Sequence, residues 1–405
     1  MKLAARFVVP VEGPVIENGA VVVRSGRIAA VGPAHALHDV PVVDYGDAVI
    51  CPGLVNAHTH LELSGLAGRL PPTRDFIAWL RRLVELSVAT PPSLEDVVEA
   101  VGAGLAQSLS SGVTAIGDIT RRPEWTRPLL ASSSVKVVSF GEVIAVGNRR
   151  DQLAARLDAA ADDAHQTPRL RVGISPHAPY TVEPAAMRAC AARAAASGAP
   201  LCMHLGETAE EESFTRSASG PFREFLGWLG VDDGAIPAAG CDPVELAEST
   251  GLLGPHTLLA HVNYVTDRGI ETIARSGAAV AYCPRTHGAF GHPPHRFRDM
   301  LRAGINVCLG TDSLASNPCL SILEELRFLR NECHDLDADL LLAMGTVRGA
   351  RALGFEDVAG TIAPGRSADL AVIAPPAGER LDRWDRILEW TVKPNLTVIS
   401  GGFLT

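Results

Sequence analysis

Two histidines two residues apart, His58 and His60, are the residues of this chain whose type and spacing most clearly suggest chemistry. They follow an apolar run, and side chains alternate between the two faces of an extended strand, so both imidazoles would point the same way. Two imidazoles on one side could bind one metal ion. A His-x-His pair by itself is more often two structural histidines, on the surface or in the core, so the interpretation depends on other residues.

Five further residues of metal-binding or acid–base type follow later apolar runs: His177, His204, Glu207, His261 and Asp312. Three imidazoles and one carboxylate would suit Zn²⁺ or Fe²⁺ and leave a position open for water. Such a cation can bring the pKa of a bound water to about 7, which makes hydroxide available near neutral pH. We therefore predict one divalent metal ion, Zn²⁺ in the first place. The candidate ligands are His58, His60, His204 and Asp312.

Glu207 and His261 are the candidate catalytic residues, together with Asp312. Glu207 stands three residues after His204, where a carboxyl group could move protons between water and substrate. His261 could hydrogen-bond the attacking oxygen or stabilise charge that develops in the transition state. Each has a structural alternative: Glu207 could be a carboxylate in the first turn of a helix, and His261 could be a satisfied core histidine.

Three further parts of the sequence also have more than one interpretation. Asp312, in a Gly-Thr-Asp-Ser run, could instead cap a helix. His177 lies in a proline-rich loop and could brace that loop or contact substrate. The acidic run Glu210–Glu212 is better interpreted as the solvated start of a helix than as a second metal site.

The middle of the chain alternates short apolar runs with helical patterns. The runs lie near residues 50–57, 113–118, 135–141, 170–175, 199–203, 257–261, 278–282 and 305–309. Eight buried strands alternating with helices predict an α/β fold, a (β/α)8 TIM barrel. Chemistry in such a barrel lies at the carboxyl ends of the strands, which is where the candidate residues stand. The long connection 204–256 should carry extra helices over the site.

Both ends of the chain are rich in β pattern. Residues 20–32 predict a hairpin with a Ser-Gly turn, and residues 368–373 and 397–403 return to the same character. We predict a small composite β-sandwich built from both termini, residues 1–55 and 356–405. The metal-dependent catalytic barrel would then span residues 56–355.

Composition excludes several classes of protein. The net charge of −10 and the scattered basic residues argue against nucleic-acid binding, and the pairs Arg121–Arg122 and Arg149–Arg150 are interpreted as solvated loop ends. No apolar stretch approaches 18 residues, so no membrane span is expected. The start of the chain lacks the pattern of a secretory signal. Eight scattered cysteines without a Cys-x-x-Cys pair favour reduced thiols in a cytoplasmic protein. The expected partner is a small-molecule substrate, and a homodimer could form.

Several segments resemble, in order and spacing, the motifs of the amidohydrolase superfamily, in its branch of mononuclear deaminases and chlorohydrolases. These segments are residues 52–60, 204–207, 261, 310–313 and 360–370. The resemblance implies the same four metal ligands, with Glu207 and His261 as catalytic partners. The fourth apolar run ends without the lysine of the two-metal members, which disfavours their chemistry.

The loop 175–180 is similar to that of adenosine and S-adenosylhomocysteine deaminases. The segment 282–292, together with 60–64, is most similar to aminodeoxyfutalosine deaminases. The resemblance implies hydrolytic removal of an exocyclic amine from an adenine-like nucleoside, with an aminodeoxyfutalosine-type substrate favoured. Arg285 could pair a substrate carboxylate bidentately or anchor its own loop. Glu62 and His177 are the other candidate substrate contacts. The alternatives are hydrolysis of a cyclic amide or a chloro-triazine, and a non-catalytic metal-binding barrel.

Overall fold

The computed structural model of the protein describes residues 1–38 and 41–404. Its strands, numbered along the chain, are β1 (Lys2–Val8), β2 (Ile16–Arg24), β3 (Arg27–Pro33), β4 (Val42–Asp44), β5 (Val49–Pro52), β6 (Leu54–Thr59), β7 (Val113–Thr120), β8 (Lys136–Val143), β9 (Leu170–Pro176), β10 (Leu201–Leu205), β11 (Thr257–His261), β12 (Ala279–Tyr282), β13 (Val307–Leu309), β14 (Leu370–Ile373), β15 (Leu396–Ile399) and β16 (Gly402–Leu404).

The α-helices are α1 (Phe76–Ala89), α2 (Leu94–Ser110), α3 (Pro123–Ser132), α4 (Leu153–Ala161), α5 (Pro184–Ser197), α6 (Glu210–Ser217), α7 (Pro221–Trp228), α8 (Pro243–Ser249), α9 (Asp267–Ser276), α10 (Pro284–Phe290), α11 (Phe297–Arg302), α12 (Ile322–Glu332), α13 (Ala338–Met344) and α14 (Val347–Ala352). Short 3₁₀ turns cover Ala34–Ala36, Leu61–Leu66, Gly147–Gln152 and Trp384–Leu388. Among the described residues, none of these helices is long and apolar enough to cross a membrane.

Strands β6 to β13 form one parallel sheet in the order of the chain. The carbonyl oxygen of His58 accepts hydrogen bonds from the amides of Thr311 and Asp312, at 3.1 and 3.0 Å, so the carboxyl end of β6 meets the segment after β13. Most of these strands are buried along their whole length, as parallel strands covered on both faces require. The predicted (β/α)8 barrel is therefore confirmed.

The first apolar run, 50–57, is not one strand as predicted. It divides at Gly53 into β5, which belongs to the terminal sheet, and β6, which begins the barrel. The division needs glycine, because a Cβ atom at residue 53 would lie 2.1 Å from the hydroxyl oxygen of Thr114. The short link carries the chain from one sheet directly into the other, just before the first metal-ligand candidates.

The terminal sheet combines strands from both ends of the chain, in the order β16-β15-β14-β5-β1-β2-β3, with β4 paired to β1. Its β2–β3 hairpin turns at Ser25 and Gly26, whose φ angles of 47° and 76° are those of a tight two-residue turn. The predicted composite β layer is thus confirmed, as a mixed sheet. The boundaries at 55/56 and 355/356 stay a prediction, and within those ranges positions 39, 40 and 405 lie outside the described residues.

A buried ion pair joins the two layers. Lys136, at the start of β8, pairs with Asp369, which directly precedes β14 of the terminal sheet, and both side chains are almost fully buried. Asp369 also accepts a hydrogen bond from the amide of Ser400 at 2.9 Å. The carboxylate therefore has partners on both of its sides, as a buried charge requires.

The long connection between β10 and β11 carries α6, α7 and α8, as predicted. Its aromatic side chains pack over the carboxyl ends of the strands, where Tyr180 stacks on Phe222 with ring centroids 3.8 Å apart. Phe76 of α1 packs against the same ring, edge-on at 6.5 Å. These aromatic side chains belong to one apolar cluster.

Candidate active site

Five side chains of the predicted site meet at the carboxyl ends of strands β6, β10, β11 and β13: His58, His60, His204, His261 and Asp312. The Nε2 atoms of His60 and His204 lie 3.2 Å apart. One carboxylate oxygen of Asp312 lies 3.8 Å from Nε2 of His58 and 3.5 Å from Nε2 of His60. The sequence therefore identified side chains that the fold brings together from positions more than 250 residues apart.

The donor set fits a divalent cation. Both ring nitrogens of His58 are buried and have no hydrogen-bond partner among the described residues, which is costly unless a further group binds there. Ligand atoms of His58, His60 and His204 lie within 4.8 Å of one another, and so do those of His58, His261 and Asp312. An ion bound between them would satisfy the orphaned imidazole nitrogen.

The protonation states of the candidate histidine ligands suit metal binding. Burial and the neighbouring imidazole of His204 hold the pKa values of His58 and His60 well below their usual range. Burial, followed by the neighbouring imidazole of His177, lowers the pKa of His204 to about 4. Histidine binds metals through its neutral form, so these three side chains have the required state at pH 7.

Second contacts orient two of the candidate ligands. Nδ1 of His204 lies 2.9 Å from the carbonyl oxygen of His177, so this nitrogen carries the proton and Nε2 faces the cluster. The hydroxyl of Ser316 donates to Oδ2 of Asp312 at 2.5 Å. Asp312 caps no described helix, because α12 begins later and is capped by Ser321. The helix-cap alternative for Asp312 is therefore wrong.

Glu207 lies beside the candidate metal ligands and faces His261. Nε2 of His261 lies 3.5 Å from Oε1 of Glu207. Burial first, and then the charges of Asp312 and Glu211, raise the pKa of Glu207 well above its usual range. Glu207 lies in the turn before α6 rather than in its first turn, so the alternative of an ordinary helical carboxylate is wrong. A carboxyl group with a raised pKa can both accept and donate a proton near neutral pH.

The interpretation of the acidic run Glu210–Glu212 as solvated is wrong for Glu211. The run does begin a helix, α6, but the side chain of Glu211 is fully buried. One carboxyl oxygen accepts a hydrogen bond from the amide of Gly206 at 2.6 Å, and the other from the amide of Glu207 at 3.4 Å. Its neighbour Glu212 remains exposed.

A cavity of about 310 Å³ opens beside the cluster, between His60 and His177. Apolar side chains of α1 and α7 form one wall, and Glu62, Glu142 and Arg121 lie on the polar side. The volume is in the range of pockets that take small molecules. The cavity therefore offers a binding position that borders the metal-ligand cluster directly.

His177 and Glu62, two predicted substrate contacts, both line this cavity. Nδ1 of His177 lies 2.6 Å from the hydroxyl of Thr181, and its Nε2 lies 3.8 Å from Oε1 of Glu142. Burial, together with the charge of Arg121, lowers the pKa of His177 to about 3, so its ring is neutral. Glu62 accepts a hydrogen bond from the amide of Arg121 at 3.2 Å.

Arg285, the third predicted contact, is not among the described residues that line the cavity. Its guanidinium contacts the sulfur of Cys319 at 2.9 Å, and its amide donates to Glu325 at 2.9 Å. These contacts favour the alternative in which Arg285 anchors its own loop.

Sequence reasoning missed the guanidinium groups that do line the cavity, which belong to Arg121, Arg122 and Arg149. Their interpretation as solvated loop ends overlooked that the loops after β7 and β8 open onto the site. Glu142 was also missed. It lies on β8 near the carboxyl end of that strand, so the strand-end rule that found the histidines could have found it too.

Comparisons with known proteins agree with this geometry. The profile of the amidohydrolase family matches residues 49–402, so the chain belongs to that family. It is 31% identical to a 5-methylthioadenosine/S-adenosylhomocysteine deaminase of Nitratidesulfovibrio vulgaris, over 89% of this chain and 79% of the relative. It is also 31% identical to an aminodeoxyfutalosine deaminase of Deinococcus radiodurans, over 83% of this chain and 81% of the relative.

A solved adenosine deaminase of Xanthomonas campestris, described with bound zinc, has a similar structure. The TM-score is 0.82 at 25% sequence identity, and the match covers 99% of this chain and 92% of the other. The resemblance therefore extends over the barrel and the terminal sheet together.

Proposed function

We propose that the protein is a metal-dependent hydrolytic deaminase that removes the exocyclic amine of an adenine-like nucleoside as ammonia. The observation that carries this proposal is the placement of Glu207, with its raised pKa, beside four converging ligand side chains at the edge of a small-molecule cavity. The relatives are named as deaminases of 5-methylthioadenosine, S-adenosylhomocysteine and aminodeoxyfutalosine, and these names support the same reaction class.

His58, His60, His204 and Asp312 would hold the metal. Three imidazoles and one carboxylate favour Zn²⁺, and Fe²⁺ is the second candidate. When bound, the cation supplies Lewis-acid activation of water. The residues around it then have to position that water and move its protons.

Glu207 would carry the proton transfers. It accepts a proton from the attacking water and passes it to the ring nitrogen next to the carbon under attack. It then accepts the second proton, from the newly attached hydroxyl, and delivers it to the departing amine. The new C–O bond replaces the C–N bond, and the products are the hydroxylated or keto ring and ammonia. His261 and Asp312 would hold the attacking oxygen by hydrogen bonds and stabilise the charge that develops on it.

The cavity would hold the rest of the substrate. The neutral ring of His177 can hydrogen-bond a heterocycle, and Glu62 can accept hydrogen bonds from hydroxyl groups. A guanidinium pairs well with a carboxylate, so Arg121 and Arg122 would suit a substrate that carries one. An aminodeoxyfutalosine-type nucleoside, which bears a benzoate, is therefore the favoured substrate.

The proposal is tested by measuring ammonia release from the zinc-loaded protein across adenine, adenosine, thio-nucleosides, guanine, cytosine and aminodeoxyfutalosine. Release from adenine nucleosides, and little from the pyrimidine, is the expected pattern. The same protein is also assayed with a chloro-triazine and with a cyclic amide. Release of chloride from the first, or of a carboxylate from the second, without ammonia release from any amine would favour the alternative hydrolases. A zinc-loaded protein that turns over none of these compounds would favour the non-catalytic barrel.

The setting of the reaction also remains a prediction. We expect a cytoplasmic enzyme without a nucleic-acid partner, in agreement with eight cysteines that are all unpaired. The homodimer is likewise a prediction, which sedimentation of the purified protein would test.

A further inference from the structure

We propose that Glu211 is a positioning residue: its buried carboxyl group holds the main-chain turn that presents Glu207 to the substrate. The inference rests on the proposed role of Glu207 in proton transfer. It is carried by the hydrogen bonds of one side chain and by the burial of that side chain.

The turn between β10 and α6 cannot fix its own direction, because it contains a glycine that no other residue can replace. Gly206 adopts a φ of 59°, and a Cβ atom there would lie 2.7 Å from the carbonyl oxygen of Tyr264. The position therefore needs glycine, which is also the residue with the greatest conformational freedom in an unsupported chain. Other groups must then fix the direction in which Glu207 leaves the strand.

These groups approach the turn from two sides. On the side of β11, the amide of Tyr264 donates to the carbonyl of Gly206 at 2.9 Å, and the side-chain amide of Asn263 donates to the carbonyl of Glu207 at 3.0 Å. On the side of α6, Glu211 accepts from the amides of Gly206 and Glu207 at 2.6 and 3.4 Å. The bond to Gly206 is the shorter of the two and so contributes more.

The burial of Glu211 indicates a role beyond starting a helix. The side chain is fully buried, and the structure of residues 1–38 and 41–404 shows no ion pair to it. A buried carboxyl group without a cation is expensive, and an apolar side chain could fill the same space at lower cost. Two main-chain amides that need a buried acceptor explain why a carboxyl group stands there. Burial raises the pKa of Glu211 to about 8, and the carboxyl group keeps an acceptor oxygen in either protonation state.

The test compares Glu211→Ala and Glu211→Gln with Glu212→Ala as the matched control. Glu212 is the next residue on the same helix, half exposed, and its carboxylate pairs with Arg216 at 2.8 Å. The readouts are kcat and KM on the best substrate of the ammonia screen, and the metal content of each protein. A small displacement of a catalytic group costs roughly 10²-fold in rate, so Glu211→Ala should lose about that much in kcat with KM and metal nearly unchanged. Glu211→Gln keeps one acceptor oxygen and should restore most of kcat, and Glu212→Ala should match the wild type.

A wild-type kcat in Glu211→Ala overturns the proposal, and so does a Glu211→Gln variant that is as slow as Glu211→Ala. If Glu211→Ala does not fold, Glu211→Asp replaces it, because the shorter side chain withdraws its oxygens from the amide of Gly206 while keeping a carboxyl group. An unchanged kcat in Glu211→Asp contradicts the positioning role.

The proposed function can fail separately from this inference. A wild-type protein that releases no ammonia refutes the function, and the positioning role is then decided by hydrogen exchange. The amides of Gly206 and Glu207 should exchange faster in Glu211→Ala than in Glu211→Gln or Glu212→Ala. Equal exchange in all three variants contradicts it.

Discussion

The main-chain carbonyl of His58 accepts a hydrogen bond from the main-chain amide of Asp312 at 3.0 Å. This contact fixes the main-chain distance between two candidate ligands, one on the first strand of the barrel and one just after the last strand. Asn56 reinforces it, since its side chain exchanges two hydrogen bonds with Thr311, at 2.7 and 3.0 Å. The contacts that join the two ends of the barrel therefore also hold these two candidate ligands side by side.

Replacement of the proton-transfer group should separate catalysis from metal binding. Glu207→Gln removes the acidic proton but leaves the four ligand side chains, so we expect kcat to fall by about 10²- to 10⁴-fold while the metal content stays at the wild-type value. Steady-state kinetics and elemental analysis of the purified variant check this. Glu212→Gln, a change at an exposed position of the same segment, is the control, and near-normal turnover by Glu207→Gln would remove the proton-transfer role.

The preference of the cavity for a substrate that carries a carboxylate should depend on Arg121 rather than on Arg285. Loss of a charge-assisted hydrogen bond costs about 1.5–3 kcal/mol, so Arg121→Met should raise KM for a carboxylate-bearing nucleoside by roughly 10- to 100-fold. KM for uncharged adenosine should change little. Arg285→Met is the matched control, and an effect of that variant on the anionic substrate alone would return the role to Arg285.

Acid should destabilise the protein partly through His295. Its Nε2 donates to the carbonyl of His261 at 2.9 Å, its ring stacks on Tyr282, and burial lowers its pKa to about 3. In the unfolded chain His295 takes up a proton near pH 6.5, whereas in the folded chain it does so only near pH 3. The stability that this residue contributes is therefore present above pH 6.5 and is lost as the pH falls towards 3.

Urea unfolding at several pH values measures this effect. Between pH 6 and pH 4, the free energy of unfolding of the wild type should fall more steeply than that of His295→Phe, which keeps a stacking ring but cannot titrate. The difference in slope should approach about 1.4 kcal/mol per pH unit. Parallel slopes for the two proteins would show that His295 has no part in the acid response.

The buried ion pair between the barrel and the terminal sheet should matter for stability and not for catalysis. Lys136→Met leaves Asp369 buried without its cation, which typically costs about 3–5 kcal/mol. The exposed pair of Arg193 and Asp158 provides the control, because Arg193→Ala should cost no more than about 1 kcal/mol. Thermal and denaturant unfolding check both values, and a Lys136→Met variant as stable as Arg193→Ala would contradict the account.

The metal-ligand cluster could be predicted because each of its residues ends a strand, and a parallel barrel gathers those ends at one edge. For loops, the sequence does not show which side chains turn towards the site. Arg121 and Arg149 enter the cavity because of the path their loops take after β7 and β8, which local pattern does not specify. Glu211 was misinterpreted for a related reason: an acidic helix start normally faces water, and only the fold shows that the preceding turn covers it. The division of the first apolar run at Gly53 depends on a contact with Thr114 from a distant strand.

The central claim, a metal-dependent deaminase, is tested most directly by ammonia release before and after metal is restored. The protein is stripped with a chelator, and ammonia from an adenine nucleoside is measured as Zn²⁺ is added in steps. We predict no release from the metal-free protein and full activity near one ion per chain. Equal rates with and without metal, or no ammonia from any amine once the ion is bound, would contradict the account.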